Sequence, residues 1–363
     1  MAWLINALLI IAALFIGVQL VTLLTNLIFF PVLKPSETVS KERISILVPA
    51  RNEAKTLPKN LPRLLMQKGN FEVVVLNDQS TDGTAEVLET FRTNPKFRFI
   101  QGEPLSVGWS GKNWACHQLV QAAQGEILIF TDADVRWEPS TLTSLLAFRA
   151  KHAAEFVSVW PRQLTGSLLE RITVPAIDLI LLGSLPYLGV KYLPFGAFSA
   201  GNGQLMLFTK EAYETLGGHA AFKSEVLEDV RMGQAAKGLD IPTALALGGE
   251  VLSTRMYETD EALLEGFSKN ILAATGHNRG FLIVLGILNT LTYGLSWLLG
   301  FIHPWWFVIA TLGLAQRALT SLKTGRSPLE ALLQPLMPIP FWRISLRVLR
   351  RKGAYTWKGR DYA

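Results

Sequence analysis

The 363-residue chain is long enough for about two domains, and a composition of 49% hydrophobic and only 18% charged residues excludes a disordered chain and argues against a wholly soluble one. Lys and Arg exceed Asp and Glu by 35 − 29 = 6, a moderate excess whose meaning depends on where the charges lie, and no nucleic-acid partner is expected. The single cysteine, Cys116, excludes an internal disulfide framework and any multi-cysteine zinc or iron–sulfur site.

Residues 1–33 form the first predicted element. No charge precedes Lys34, and about 27 apolar residues at 1.5 Å each exceed the roughly 30 Å of bilayer hydrocarbon. A spanning anchor is expected rather than a cleaved signal peptide, because the run is too long, lacks a basic leader and is followed by no small-residue cleavage site. Lys34, Lys41 and Arg43 then place the following segment in the cytoplasm.

A cytoplasmic domain is expected over residues 42–270. The runs 44–49, 71–76 and 126–131 are short, apolar and β-branched, and the first two lead into helical stretches. Continuous apolar strands alternating with helices predict an α/β domain whose parallel sheet is covered on both faces. Ligands of such sheets sit beyond the carboxyl ends of the strands, where the polar clusters Arg51-Asn52-Glu53, Asn77-Asp78 and Asp132-Ala133-Asp134 fall. The apolar stretch 172–190 is interrupted by Pro175, Asp178 and Pro186, and reads as a buried core helix or as a segment resting on the membrane surface; the latter is expected. Residues 281–319 predict a transmembrane hairpin turning at His303-Pro304, with Arg317, Lys323 and Arg326 returning the chain to the cytoplasm. Residues 328–363 predict a basic interfacial segment rather than a fourth span, since within 329–349 Glu330, Pro335, Pro338, Pro340, Arg343 and Arg347 are poor tenants of a bilayer centre. Arg343, Arg347, Arg350, Arg351 and Lys352 are then expected to face anionic lipid headgroups.

The chemistry lies in the strand-end clusters. Asp132 and Asp134 flank one residue, so two carboxylates can converge on one hard cation; a solvated loop or helix cap is the alternative. Of Asp78 and Asp82, the second suits a turn and helix cap in Asp82-Gly83-Thr84, leaving Asp78 for binding. Gly111-Lys112 fails as a nucleotide-triphosphate loop, since Ser106 stands where that pattern needs glycine and Asn113 where it needs Ser or Thr. No Gly-x-Gly-x-x-Gly follows the first strand, and the five histidines show no metal-ligand spacing.

Jointly and in order, the segments 45–53, 77–84, Asp132-Ala133-Asp134 and Glu228-Asp229 after Gly217-Gly218-His219 resemble the family-2 glycosyltransferases of GT-A fold. Gly108-Trp109-Ser110-Gly111-Lys112-Asn113-Trp114-Ala115, Arg255-Met256-Tyr257, Gly266-Phe267-Ser268-Lys269-Asn270 and Thr356-Trp357-Lys358-Gly359-Arg360 are similar to its membrane branch that glycosylates carotenoids, with hopanoid-associated members close by. The resemblance implies a GT-A nucleotide-sugar domain with a mostly parallel sheet, joined to one N-terminal and two C-terminal transmembrane helices in a multi-pass cell-membrane protein. It implies an inverting transfer from a nucleotide-diphosphate sugar, with UDP-hexose the expected donor, to a lipid acceptor such as a carotenoid. Pro49, Ala50, Arg51, Glu53 and Asp78 would then hold base and ribose. Asp134, assisted by Asp132, would hold magnesium or manganese, and Lys112 would add a nucleotide or phosphate contact. Asp229, paired with Glu228, would serve as base, although an acidic pair at a helix start also complements the helix dipole. Arg255 would hold diphosphate or pair with a carboxylate. A polyprenyl-phosphate sugar synthase and an inert scaffold of a lipid pathway are the alternatives. The Gln-x-x-Arg-Trp motif of processive synthases is not found, which disfavours extension of a long glycan.

Overall fold

A computed structural model of the chain describes residues 2–350, 355–357 and 360–362. Arg351, Lys352, Lys358 and Gly359, named in the sequence reading, lie outside the described residues. The chain divides into two compact units: Met1–Phe30, Gln163–Leu188 and Met256–Ala363 form one, and Pro31–Arg162 with Gly189–Arg255 forms the other.

The second unit is an α/β domain. Its strands are β1 (Ile44–Ala50), β2 (Phe71–Asn77), β3 (Phe97–Gln101), β4 (Ile127–Thr131), β5 (Val135–Trp137), β6 (Phe156–Trp160), β7 (Arg162–Gln163, where the chain leaves the unit), β8 (Leu205–Thr209), β9 (Thr243–Leu247) and β10 (Leu252–Thr254). Seven of them form one sheet in the order β3-β2-β1-β4-β8-β6-β9. All its pairings are parallel except those of β8, which runs antiparallel to both β4 and β6. Successive side chains of a strand point to opposite faces, and both faces of this sheet are covered. On one face Ile44, Ile46, Val48, Val73, Val75, Ile127 and Ile129 pack with Leu57, Leu61 and Leu64 of the helix Leu57–Leu65 and with Leu142 and Leu145 of Thr141–His152. On the other, Leu47, Val74, Leu76, Leu128 and Phe130 pack with Ala115, Cys116 and Leu119 of Gly111–Ala122 and with Met232 and Ala236 of Glu228–Gly238. Two-sided burial is why these strands read as unbroken apolar runs.

At the amino ends of the strands a polar staple fixes the register. The Ser45 hydroxyl donates to Glu72 at 2.6 Å and accepts from the Gly125 N–H at 2.8 Å, while Arg98 donates to the other Glu72 oxygen at 3.0 Å. Burial opposes the Glu72 charge, but the bonds from Ser45 and Arg98 outweigh it and hold the carboxyl below its ordinary pKa. Gly125 has no room to spare: a β-carbon there would stand 2.4 Å from Ser45 N and 2.7 Å from Ile44 C.

The first unit is helical. Ala2–Phe29, Pro175–Ser184, Trp305–Lys323 and the π-helical turn Thr290–Leu295 share a core of Ala12, Ile16, Leu179, Leu291, Tyr293, Trp306 and Ile309. Among the described residues two helices are long and apolar enough to cross a membrane, Trp3–Phe29 and Arg279–Leu299. Trp305–Lys323, the expected second arm of the hairpin, follows the turn at His303-Pro304 but is not one of them, and it carries Gln316 and a fully buried Arg317. The stretch 172–190 falls mostly into the helices Leu168–Thr173 and Pro175–Ser184, with Ile172, Val174, Leu179 and Asp178 buried and Ile180 exposed. The basic segment begins as the 3-10 helix Pro328–Leu336 and continues as the amphipathic helix Pro338–Arg350, with Arg343 and Arg350 exposed and Arg347 paired to Glu261 at 2.9 Å and to Glu265 at 3.3 Å.

Gly125→Ala is expected to destabilise the α/β unit by about 1–3 kcal/mol, because the clash is with backbone that cannot rotate away. A thermal melt of the detergent-solubilised protein checks this, and an unchanged midpoint would show that the β1–β4 spacing yields.

Candidate functional site

The strand order reverses between β1 and β4, so the carboxyl ends of these strands open the crevice at which sheets of this type bind ligands. Ala50 pairs with Asn77, so Arg51 and Asp78 leave their strands side by side. The Asp78 N–H donates to the Ala50 carbonyl at 2.8 Å, and Arg51 Nη1 donates to the carbonyls of Asp78 at 2.7 Å and Gln79 at 3.2 Å. Asn52 and Gln79 adopt φ of 55° and 51°, a left-handed conformation that costs roughly 1–2 kcal/mol for a residue with a β-carbon. The Asn52 side chain is bound there, its Oδ1 accepting from the Thr81 N–H at 2.9 Å. Glu53 and Asp78 are buried, and the Glu53 N–H donates to Thr84 Oγ1 at 2.8 Å. Asp82 belongs to the turn, accepting from Ala54 N at 3.1 Å, from Thr84 N at 3.0 Å and from the Thr84 hydroxyl. Its slight desolvation is outweighed by these bonds, which hold its pKa below the ordinary value. Pro49, Ala50, Arg51, Glu53 and Asp78 thus share one rim.

The opposite rim is built around Lys112, the second residue of the helix Gly111–Ala122, which is capped by Ser110 Oγ accepting from Asn113 N. Lys112 Nζ lies 2.7 Å from Asp132 Oδ1, donates to the Gly203 carbonyl at 3.0 Å and stands 3.8 Å from Glu228 Oε1. Desolvation opposes its charge, but Asp132 and Glu228 prevail and hold its pKa above the ordinary lysine value. Asp229 is fixed by two backbone donors, Gly203 N at 2.6 Å to Oδ2 and Val230 N at 2.8 Å to Oδ1. Burial is the dominant influence on Asp229 and raises its pKa, against the pull of Lys112 and of the two N–H groups. Asp132, Glu228 and Asp229, from two regions about a hundred residues apart in the chain, therefore meet at one ammonium group.

Asp134 stands at the same strand end, its carbonyl accepting from Thr254 Oγ1 at 3.3 Å. Thr254 pairs with Val135, and Arg255, exposed, follows it directly. Among the described residues no three His, Cys, Asp or Glu side chains form a metal cage. A magnesium-like ion does not need one, since it is commonly held by one or two carboxylates together with substrate phosphates and water. The oxygen donors of Asp132 and Asp134 at the mouth of a ligand crevice fit such an ion.

His219, by contrast, is structural. It is fully buried, it stacks edge-on against Phe130 at 4.8 Å, and its N–H donates to Tyr213 Oη at 3.0 Å, leaving the phenol proton for Nδ1 at 2.7 Å. Burial pushes its pKa down to about 3, so it stays neutral.

The loop 202–204 was not singled out from sequence, yet it ties the end of β4 to Lys112 and Asp229. Gln204 O accepts from Asp132 N at 3.3 Å and from Thr131 Oγ1 at 3.2 Å, while Gly203 offers its carbonyl to Lys112 and its N–H to Asp229. The signal was Gly201-Asn202-Gly203: Gly201 is required by the close approach of backbone, and Gly203 leaves room for the tip of Lys112. A β-carbon on Gly201 would stand 2.2 Å from Asp229 O, and one on Gly203 would stand 2.9 Å from Lys112 Nζ and 3.3 Å from Asp229 Oδ2. Gly203→Ala is expected to displace Lys112 and to cut turnover by about tenfold or more, the scale of a positioning error at a reacting centre. Far-ultraviolet circular dichroism should be unchanged; full activity with a normal spectrum would mean that the loop tolerates the shift.

Residues 45–214 match the profile described as glycosyl transferase family 2. The chain is 26% identical over 264 residues, 70% of its own length and 68% of the relative's, to a 4,4'-diaponeurosporenoate glycosyltransferase of Staphylococcus haemolyticus (strain JCSC1435). It is 25% identical over 341 residues, 88% of each chain, to the protein of the same description from Staphylococcus aureus (strain USA300). Among solved structures it is similar to the mannosyltransferase PcManGT from Pyrobaculum calidifontis, determined in complex with GDP-Man and Mn2+, at a TM-score of 0.58 and 20% identity, covering 96% of this chain and 99% of that one. Sheet order and these likenesses agree: residues 45–214 match the family-2 glycosyltransferase profile, and the fold is GT-A-like.

Proposed function

We propose that the protein is a membrane-bound inverting glycosyltransferase that moves a hexose from a nucleotide diphosphate, UDP-hexose in this reading, to a carotenoid or related isoprenoid acceptor. The observation that carries the proposal is the convergence of Asp132, Glu228 and Asp229 on Lys112 at the switch point of the sheet. The names of the staphylococcal relatives support the acceptor class, and point to a carotenoid carboxylate.

In this reading the rim of Pro49, Ala50, Arg51, Glu53 and Asp78 holds base and ribose. Arg51 fixes that rim by bridging the loops after β1 and β2. Asp132 and Asp134 hold a magnesium or manganese ion, which when bound neutralises charge developing on the departing diphosphate. Asp229 faces the acceptor and takes the proton of an attacking hydroxyl as the new bond forms opposite the leaving group. Its two backbone bonds fix the carboxylate's orientation, and its raised pKa makes it a stronger base than an exposed aspartate. Glu228, buried beside Lys112, positions that cation, and Arg255 contributes positive charge at the mouth. An acceptor carboxylate is already ionised and needs no base.

The membrane belongs to the same proposal. Leu4, Ile10, Leu14, Val18, Val21, Leu24 and Ile28 of Trp3–Phe29 are exposed, as a helix with lipid as its solvent requires. With Lys34, Lys41 and Arg43 next to it, the helix leaves the glycosyltransferase domain in the cytoplasm. Residues 281–319 would form the second membrane element, and the exposed Arg343 and Arg350 of 328–363 would meet anionic headgroups.

Profiling lipid extracts as acceptors with labelled nucleotide sugars tests the function. Transfer to a carotenoid carboxylate or hydroxyl is expected, whereas transfer only to a polyprenyl phosphate would replace this reading with that of a lipid-phosphate sugar synthase. With a hydroxyl acceptor, Asp229→Asn should lower kcat by about 10²–10⁴-fold, the usual worth of a general base, with donor binding nearly unchanged. The rate should also fall, as pH decreases, at a pH above the ordinary aspartate range, because the base must be ionised and burial raises its pKa. A carboxylate acceptor should show neither effect, and weakened donor affinity with intact turnover would move Asp229 out of the base role. Asp134→Asn should cut turnover by orders of magnitude while the protein stays folded and membrane-bound; unchanged turnover with magnesium and manganese withheld would sink the metal assignment.

A further inference from the structure

We propose that Lys112 is the resident counter-cation of this site: it neutralises Asp132 in the donor-free protein, gives that carboxylate up to an incoming divalent cation and moves onto the donor's diphosphate, so that metal and nucleotide bind cooperatively. The inference rests on the donor-and-metal reading above, and deepens it by assigning one side chain the coupling between the two ligands.

The geometry points to exchange rather than to a fixed structural pair. Three carboxylates, Asp132, Glu228 and Asp229, lie around one ammonium, so the crevice gathers negative charge that Lys112 offsets. Two of the three ammonium donors have partners at hydrogen-bond distance, Asp132 Oδ1 at 2.7 Å and Gly203 O at 3.0 Å, while Glu228 stands back at 3.8 Å. The ion pair is open on one side, since the side chains of Lys112 and Asp132 are 32% and 30% exposed. A lysine is a point charge on a flexible four-carbon stem, so its head can be re-aimed without moving the helix that bears it.

A divalent cation on Asp132 repels an ammonium held 2.7 Å from Oδ1, so metal and Lys112 compete for that carboxylate. Metal binding at Asp132 therefore drives Lys112 off that oxygen, and with no nucleotide present the displaced ammonium falls back on the Gly203 carbonyl and the carboxylates of Glu228 and Asp229. A diphosphate changes this by supplying new negative charge beside the stem. Nucleotide must then tighten metal binding, and metal must tighten nucleotide binding by the same factor. Glycine at 203 fits the same device, since a β-carbon there would stand 2.9 Å from Nζ and take up space in which it turns.

The test is Mn2+ binding to the full-length chain in detergent, followed by electron paramagnetic resonance of the free ion, with and without UDP or GDP. In the unaltered protein, nucleotide should tighten Mn2+ about tenfold or more, within the usual range of coupling between sites. Lys112→Met frees Asp132, so the variant should bind Mn2+ several-fold tighter than the unaltered protein when nucleotide is absent, and the nucleotide enhancement should fall below about threefold. Lys112→Arg keeps the charge in a fork suited to a carboxylate, and should bind Mn2+ more weakly without nucleotide; it decides the matter if the methionine variant does not fold. Unchanged or weaker nucleotide-free Mn2+ binding in folded Lys112→Met, or stronger binding in Lys112→Arg, overturns the exchange while leaving the metal reading intact. Failure of the unaltered protein to bind Mn2+ with either nucleotide overturns both.

Discussion

The arrangement at the carboxyl end of β4 depends on one cation. Carboxylates gathered at the mouth of a sheet repel one another, and desolvation raises the cost of each charge. Lys112 offsets both for Asp132 and Glu228, and through the Gly203 carbonyl it fixes the loop whose N–H holds Asp229. The helix bearing Lys112 is anchored independently: Asn113 donates to the carbonyls of Phe222 at 2.8 Å and Glu225 at 3.2 Å, joining it to the segment that leads into Glu228. A short lever between Ser110 and Asn113 thus sets the distance between a strand end and a helix start.

The sheet was legible where both faces are covered. The apolar runs 44–49, 71–76 and 126–131 became β1, β2 and β4, and the polar residues that end them became the crevice rim. Asp82 was legible too, because the chemistry of Asp-Gly-Thr is local and a turn needs no distant partner. The antiparallel β8 was not legible. Its run 205–209 is as apolar as the others, and direction is set by where the chain enters the sheet: Leu205 pairs with Thr131, so β8 begins at the end where β4 stops. That reversal brings 202–204 into the site, and no local pattern announces it.

Lys112 was legible only as a residue type. The failed phosphate-loop pattern argues against a triphosphate site, but a lysine after glycine at a helix start reads equally as a phosphate ligand or as an internal counter-ion. Its partners lie 20, 91 and 116 residues away along the chain, from 132 − 112, 203 − 112 and 228 − 112. The Glu228-Asp229 pair was ambiguous in the same way. At a helix start it complements the dipole, and only the buried placement of Glu228 together with the Gly203 N–H on Asp229 separates a held carboxylate from a solvated one.

The helical unit solves a related problem in the same manner. Asn26, fully buried on an apolar helix, donates to the carbonyls of Leu182 and Leu185 at 2.8 Å and accepts from the Tyr187 N–H at 2.9 Å, which ties down the end of Pro175–Ser184. Arg317 donates to the carbonyl of Arg171 at 2.6 Å, and Lys323 to that of Leu27 at 2.9 Å. In each case one polar side chain fixes the path of a distant segment through backbone oxygens. A carbonyl is present whatever residue carries it, so the accepting segment needs no particular sequence and gives no sign of its role; the information sits wholly in the donor. Apolar helices make such donors conspicuous, because an unmatched amide or guanidinium there is costly. In the α/β unit the same device is hidden among ordinary surface lysines, and for that reason Lys112, with Gly203 as its silent acceptor, becomes visible only when the chain is folded.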